Sequence, residues 1–332
     1  MTTHQQQSIL IVGGAGYIGS HMVDFIKRAG FYPVVLDNLS TGHRDAVIDA
    51  EFIHGDLEDP ILLDEIFAKH TFAGVMHFAS FIQVGESVKD PAKYYQNNFA
   101  ATLSLLQAML KWKVQHFIFS STAAVYGEPQ YTPIDELHPL APINPYGRSK
   151  WMVEQVLKDY AASYGFKYAV LRYFNAAGAD PAGRFRERHD PETHLIPLVL
   201  EVAQGKRKAI TVYGNDYSTK DGTCVRDYIH VTDLCAAHLL ALQQLWDGAN
   251  QLTYNLGTGE GYSVRQVIDT AKAVTGRDIP VIQGERRAGD PAVLVADAKQ
   301  AMKELGWSPK YSSLRTIIEH AWNVAQPIAE KA

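Results

Sequence analysis

Two cysteines in 332 residues, Cys224 and Cys235, are too few for a disulfide framework and lack metal-ligand spacing. They predict free thiols and a reducing compartment. No apolar run approaches the ~20 residues that a membrane-spanning helix needs. The polar start, residues 1–7, has no charged n-region followed by an apolar stretch, so the expectation is a cytoplasmic protein. A net charge of -5 gives no basic footprint and excludes nucleic acid as the expected partner. Internal repeats, low-complexity linkers and polybasic segments are also missing. Thirteen histidines are present, yet none falls in a His-Glu-x-x-His or comparable cluster. The nearest pair, His189 and His194, sits in a polar, loop-like stretch, and no metal is expected. What is left is an ordinary globular composition, 46% hydrophobic and 20% charged, with a small-molecule partner. A single core seldom grows beyond ~250–300 residues, so two lobes are expected.

The short apolar run Ser8–Val12 enters Gly13-Gly14-Ala15-Gly16-Tyr17-Ile18-Gly19, and Met22, Val23, Phe25 and Ile26 then open a helical pattern. Strand, glycine turn and helix in that order let a backbone approach a pyrophosphate at the positive end of the helix. The next strand, 33–36, ends in Asp37-Asn38, at the ~20-residue distance expected of a ribose-binding acid. A carboxylate there accepts from two ribose hydroxyls and repels a 2′-phosphate, which predicts NAD over NADP. Further strand-like runs at 51–54, 74–78, 116–119 and 168–171 alternate with helical stretches, the pattern of a doubly wound parallel α/β sheet. Asp56-Leu57, Phe78-Ala79-Ser80 and Ser120-Ser121-Thr122 are expected just beyond strand ends, on the edge where open sheets bind ligands.

Downstream, Tyr146-Gly-Arg-Ser-Lys150 pairs a phenol with an ammonium at i and i+4, on one helix face if Pro145 takes the first helical position. A phenol with a pKa near ~10 is a poor base, and a neighbouring cation is expected to stabilise the phenolate and lower that value. Tyr146 then becomes able to move a proton.

Together, the Gly13–Gly19 fingerprint, Asp37-Asn38, Thr122 and the Tyr146/Lys150 pair resemble the extended short-chain dehydrogenase/reductase family. Further segments resemble its UDP-glucose 4-epimerase branch: His77-Phe-Ala, Val84-Gly-Glu-Ser-Val88, 117–127, Leu171-Arg-Tyr-Phe-Asn175, Gly214-Asn-Asp-Tyr217, Asp221-Gly-Thr, 225–231, 254–257 and Arg286-Arg-Ala-Gly-Asp290. The match runs nearly end to end. The resemblance implies that Tyr146 is the acid/base at the sugar 4-hydroxyl, that Lys150 binds the nicotinamide ribose and depresses the tyrosine, and that Thr122 hydrogen-bonds the same hydroxyl. It assigns Gly13, Gly16, Tyr17, Ile18, Gly19, Asp37, Asn38, Asp56, Leu57, Phe78, Ala79, Asn97 and Ser120 to NAD, with Tyr173 and Phe174 at the nicotinamide end.

For the UDP group the resemblance implies Asn175, Leu195, Arg226, Arg287 and Asp290, with Thr211, Val212 and Tyr213 flanking the uracil. Two arginines meet a diphosphate with planar donor forks, and Asp290 accepts from the uridine ribose. Three positions depart from the pattern. Ile82 replaces a lysine near the nicotinamide ribose, and His194 replaces an asparagine beside the diphosphate. Leu294 stands where the family tunes sugar size, between a tyrosine and smaller residues, and leaves hexose, N-acetylhexosamine and pentose open.

The implied reaction oxidises C4 of UDP-galactose to a 4-keto sugar, turns that sugar over, and reduces its opposite face, with NAD regenerated. A 4,6-dehydratase needs acid/base groups after the active-site threonine, where Ala123-Ala124 stand here. A net dehydrogenase and a non-catalytic NAD-binding sensor or scaffold are the rival readings, and the latter has no need of Thr122, Tyr146 and Lys150 together. The expected architecture is a Rossmann lobe over residues 1–180 and a smaller UDP-sugar lobe over 181–332, with 254–257 crossing back. Segments 94–109 and 151–164 are expected to be helical, and in relatives the corresponding helices pair in a homodimer.

Overall fold

The computed structural model describes residues 7–287 and 290–325. Only Gln7 of the polar start falls within them, and Ala288 and Gly289 of the Arg286–Asp290 motif lie outside. Thirteen strands are found among the described residues. They are β1 (Ser8–Val12), β2 (Tyr32–Asp37), β3 (Glu51–His54), β4 (Phe72–His77), β5 (His116–Thr122), β6 (Lys167–Tyr173), β7 (Asn175–Ala177), β8 (Ile210–Tyr213), β9 (Val225–His230), β10 (Gln251–Leu256), β11 (Gly261–Ser263), β12 (Val281–Gly284) and β13 (Val293–Leu294).

Seven of them form one parallel sheet in the order β10-β6-β5-β4-β1-β2-β3. The order reverses between β1 and β4, which opens a crevice at the carboxyl ends of those two strands, the place where doubly wound folds bind nucleotides. Alternation of side chains explains how the sheet is covered on both sides. Ile9, Ile11, Val35, Met76 and Ile118 face one apolar cluster that includes the helices Tyr17–Arg28 and Val231–Trp246. Leu10, Val12, Val34, Val75, Phe117 and Phe119 face the other, beneath Pro60–Lys69, Ala101–Lys111 and Pro145–Tyr164.

The remaining strands lie outside this sheet. β9 pairs with β7, β11 and β13, and β8 pairs with β12. A third apolar cluster joins Ile210, Val212 and Tyr228 to the helices Leu195–Ala203, Val264–Thr275 and Leu314–Ala325. The chain returns to the large sheet through β10, which pairs with β6 along its full length. No helix among the described residues is long and apolar enough to cross a membrane.

Two local differences from the sequence reading have physical causes. The serine-threonine run lies inside β5 rather than beyond it, because β6 keeps pairing there: Ser120 with Leu171, Ser121 with Arg172 and Thr122 with Tyr173. The segment expected as one helix over 94–109 is composite. Pro91–Tyr94 and Ala101–Lys111 are α-helical, and Tyr95–Ala100 between them is π-helical. Such widened turns often mark functional sites. Here the buried Asn98 accepts from Phe81 N and donates to Phe81 O, both at 2.9 Å.

Candidate active site

The glycine turn follows β1 directly. Gly13 N donates to Leu36 O and Phe78 N donates to Val12 O, so the ends of β1, β2 and β4 are bound together. A Cβ at Gly13, where φ is +78°, would come within 2.5 Å of Ala79 N, and one at Gly19 within 2.0 Å of Gly13 O. The close approach of backbone to backbone therefore excludes any side chain at either position. Tyr17, Ile18 and Gly19 form the first turn of the helix, and its N-cap, Gly16, contributes no side-chain hydrogen bond. The first N–H groups are thus available to an anion.

A groove opens from this turn at the carboxyl ends of β1, β2 and β4. Gly13, Gly16, Asp37, Asn38, Asp56, Leu57, Phe78, Ala79 and Asn97 line it, together with Ser80. Asp37 is buried and raised in pKa by desolvation, which Leu39 N and Ala15 N oppose by donating to its two oxygens at 2.8 and 2.9 Å. Each carboxylate oxygen has two acceptor sites, so one on each remains for a diol. Asn38 donates to Asp56 Oδ2 at 2.6 Å and fixes the neighbouring acid. A Gly-rich turn, an uncapped helix start and a buried acid at the next strand end fit a dinucleotide. The phenol of Tyr17 points elsewhere, donating to Gly178 O at 2.7 Å, so an anion beneath the helix meets its backbone N–H and not its ring.

The helix Pro145–Tyr164 starts as the sequence predicts, with Pro145 at its first position and Asn144 Oδ1 accepting from Gly147 N at 2.8 Å. Lys150, fully buried, donates to Ser80 Oγ at 2.6 Å and to Ser120 O at 2.7 Å, with its ammonium 4.9 Å from the Phe119 ring. Burial lowers its pKa to about 7 against the opposing charge of Glu154. Burial also raises Tyr146 above the ordinary phenol value, and a hydrogen bond with Thr122 works in the other direction. The expected depression of Tyr146 by Lys150 is therefore corrected: in the chain alone desolvation governs both groups, and the ammonium is held by Ser80 and Ser120. Thr122 also caps the short turn after β5, accepting from Ala124 N at 3.1 Å.

Phe174 and Leu294 pack against one apolar cluster with Ala123 and Val125, just beyond Thr122. Tyr173 is half-buried against the central core, where His238 lies within 5.8 Å of its ring and 5.0 Å of Phe78. Ile82 is exposed. On the other sheet, Leu294 stands opposite Arg226 in register. Arg226 forms a salt bridge with Asp290, which uses part of the fork expected for a diphosphate. Arg287 lies 4.0 Å over the Tyr213 ring at the end of β8, which also carries Thr211 and Val212. Asn175 donates to Asp227 O at 2.9 Å. Leu195 opens the Leu195–Ala203 helix, whose N-cap His194 makes no side-chain cap and instead turns to Glu187 at 2.5 Å.

Several supporting residues escape a sequence reading. Asn98 holds the 81 loop and donates to Ser149 Oγ at 3.3 Å, one residue before Lys150. Behind the catalytic strand, Arg172 binds buried Glu154 through Nε and NH2 at 3.1 and 2.6 Å, and Ser121 donates to the same acid at 2.5 Å. Their early signals were the positions of Ser121 and Arg172 within matched motifs, which say nothing of their meeting at Glu154.

Comparisons with known proteins follow this geometry. The family described as NAD dependent epimerase/dehydratase matches residues 9–257. The UDP-glucose 4-epimerase of Halalkalibacterium halodurans is 52% identical over 316 residues, 95% of each chain. A crystal structure of UDP-glucose 4-epimerase from Brucella ovis in complex with NAD superposes with a TM-score of 0.93 at 50% identity, over 95% of this chain and 97% of that one. The UDP-glucose 4-epimerase of Bifidobacterium longum, in complex with NAD+ and UDP, gives 0.91 at 39% identity over 96% and 98%. With the reversed strand order, the glycine turn and the half-buried Tyr146 set in one continuous match, the chain belongs to the NAD dependent epimerase/dehydratase family.

Proposed function

We infer that the chain interconverts UDP-glucose and UDP-galactose, inverting C4 of the sugar with NAD as its cofactor. The observation that carries this reading is the placement of half-buried Tyr146, in the first turn of the Pro145–Tyr164 helix, near Thr122 at the end of β5, with Lys150 on the same helix reaching the dinucleotide groove through Ser80. The residues lining that groove hold NAD, with Asp37 at the adenosine ribose and the first-turn N–H groups at the pyrophosphate. When bound, NAD supplies reversible acceptance of a hydride and, oxidised, a positive charge.

The protein's own side chains manage the proton and the geometry. Tyr146, as the phenolate that the positive charge of oxidised NAD and of Lys150 would favour, takes the proton of the 4-hydroxyl as C4 is oxidised and returns it when the opposite face of the 4-keto sugar is reduced. Thr122 hydrogen-bonds the same oxygen and holds it against Tyr146. Lys150 orients the nicotinamide ribose. Arg226, Arg287, Asn175, His194 and the free N–H groups at Leu195 anchor the UDP group, with Thr211, Val212 and Tyr213 beside the uracil and Asp290 at the ribose. Firm anchoring at the nucleotide is what lets the sugar turn over without escaping. Leu294, beside Phe174 and Ala123, sets the room available to the sugar.

Within this reading, residues 1–180 bind the cofactor and 181–332 the UDP-sugar, while β10 gives the 254–257 segment back to the first unit. A homodimer forms through the helices at 94–109 and 151–164, which keep Phe99, Leu103, Val156 and Tyr160 half-buried. A monomer by sedimentation would remove that part alone. A cytoplasmic setting belongs to the same proposal and is supported by Cys224 and Cys235, both buried and free. The test is turnover of UDP-galactose with no added cofactor, followed by NMR at C4. Inversion with retained NAD is expected, and stoichiometric release of NADH would overturn it in favour of a net dehydrogenase.

A further inference from the structure

The segment between β7 and the Leu195–Ala203 helix gathers four side chains that have no part in the epimerase chemistry except through His194. Glu187, His189, Glu192 and His194 bring one donor atom each to within 4.8 Å of all the others. His189 Nδ1 lies 3.3 Å from Glu187 Oε1 and 3.5 Å from Glu192 Oε2, and His194 Nδ1 lies 2.5 Å and 3.7 Å from the same two acids. A tetrahedral ion with bonds of ~2.0–2.2 Å needs neighbouring donors about 3.3–3.6 Å apart, and with Oε2 as the Glu192 donor both separations from His189 Nδ1 already have that value, while His194 would move away from Glu187 to admit the ion. Both carboxylates are buried, at 7% and 8% exposure, and His189 Nδ1 is buried without an aligned hydrogen bond. Without an ion, and against desolvation by burial, the two carboxylates hold both rings protonated, raising His189 to about 10 and His194 in the same direction; a dication would take the place of those two protons and leave the carboxylates neutralised at one point.

We propose that Glu187, His189, Glu192 and His194 form a zinc site that staples this segment in place. Two imidazoles and two carboxylates with no sulfur are an N/O set suited to zinc, and four protein donors close the coordination shell. The site is therefore structural, with no open position for a reacting water. Its location gives it a consequence. The same segment is tied to the fingerprint helix by Arg184, which donates to both oxygens of Asp24 at 2.7 and 2.9 Å, and to the 44–46 turn by Arg188 on Asp45. The His189 ring stands edge-on to Tyr17 at 6.5 Å. The ion thus joins the dinucleotide turn to the head of the Leu195–Ala203 helix and fixes His194-Leu195. Its influence on UDP affinity rests on the functional reading above, whereas the metal site itself does not.

The decisive experiment uses the full chain, stripped with a chelator and titrated with zinc chloride by calorimetry, with metal content measured after dialysis. One zinc per chain is expected, with a rise in thermal midpoint on binding. His189→Gln and Glu192→Gln should each weaken zinc affinity by at least about a hundredfold, more than loss of an outer-shell partner does. They should also raise the KM for UDP-galactose while leaving NAD content unchanged, which separates them from misfolded chains. Cobalt in the unmutated protein, needing no variant, should show the visible bands of a tetrahedral ion. Absence of stoichiometric zinc, unaltered affinity in His189→Gln, or an octahedral cobalt spectrum would each overturn the site. Zinc bound one to one in a chain that fails to epimerise UDP-galactose would uphold the metal site and sink the catalytic reading instead.

Discussion

At the scale of single residues, Tyr146 is the side chain on which everything turns. Burial raises its pKa in the chain alone, so the proposed reaction needs a neighbouring positive charge to favour its phenolate, and removing the hydroxyl removes that base altogether. Tyr146→Phe is expected to abolish turnover while NAD per chain, measured after denaturation, stays at the level of the unmutated protein. Thr122 offers a finer test. Its hydroxyl opposes the upward shift of Tyr146 and is proposed to touch the same sugar oxygen. Thr122→Val should lower kcat by about a hundredfold, the scale of losing one positioned hydrogen bond at a reacting oxygen, with little change in KM, and Thr122→Ser should recover most of it. Equal rates for the valine and serine variants would assign Thr122 to capping alone. Asp37→Asn removes the charge that repels a 2′-phosphate, so the ratio of NAD to NADP affinity should fall toward one in a binding titration. These residues were named from the sequence as candidates, because the spacing of glycines, acid, phenol and ammonium is itself the signal. The pKa of Tyr146 was not. Its direction depends on how much water the fold removes, and the i, i+4 spacing says nothing about that.

Among elements, the Pro145–Tyr164 helix carries the active-site pair on one end and a buried ion pair in its middle. Asn144 caps it, Lys150 crosses to Ser80 and Ser120, and Glu154 meets Arg172 from β6 with both partners at least 95% buried. Breaking such a pair from one side leaves an uncompensated charge. Glu154→Gln should cost about 3–5 kcal/mol in urea denaturation, and Glu154→Leu combined with Arg172→Met should cost clearly less. Additive losses in the double variant would show that the two residues stabilise the fold independently. The helix start was readable from Pro145, since a missing N–H is harmless only in the first turn. The π-helical turn at Tyr95–Ala100 was not readable, because it depends on Asn98 finding Phe81 across the fold. The extension of β5 through Thr122 likewise depended on β6 supplying partners.

For the whole molecule, folding buries histidines from β4, from the end of β9 and from the Val231–Trp246 helix. Burial lowers His77 and His230 to about 3 and His238 to about 4, with the Lys150 charge adding to the first and His320 to the second. Their folded values lie below the ordinary ~6.5, so the unfolded chain binds more protons in between. Their contribution is intact above about pH 6.5 and is lost as the pH falls below it, at up to about 1.4 kcal/mol per pH unit for each histidine. Denaturant midpoints should fall steeply from pH 6.5 to 5.0. A flat profile would mean that these rings are already charged in the folded state.

Sequence by itself determined the class of sheet, the glycine fingerprint and NAD as the cofactor, and it named the pair proposed to move the proton. Those follow from local spacing, from hydrophobic period and from residue chemistry, all of which survive in an unfolded chain. Tertiary structure alone decided the partner and register of β10, which was expected to cross back and pairs with β6, that Arg226 is engaged by Asp290, and that the polar stretch around His189 and His194 folds two acids and two imidazoles onto one point. Each of these is a meeting of groups distant in the chain or turned together by a loop without periodicity. Only the closure of the folded backbone sets such distances, and only burial sets the charge state of what is brought together.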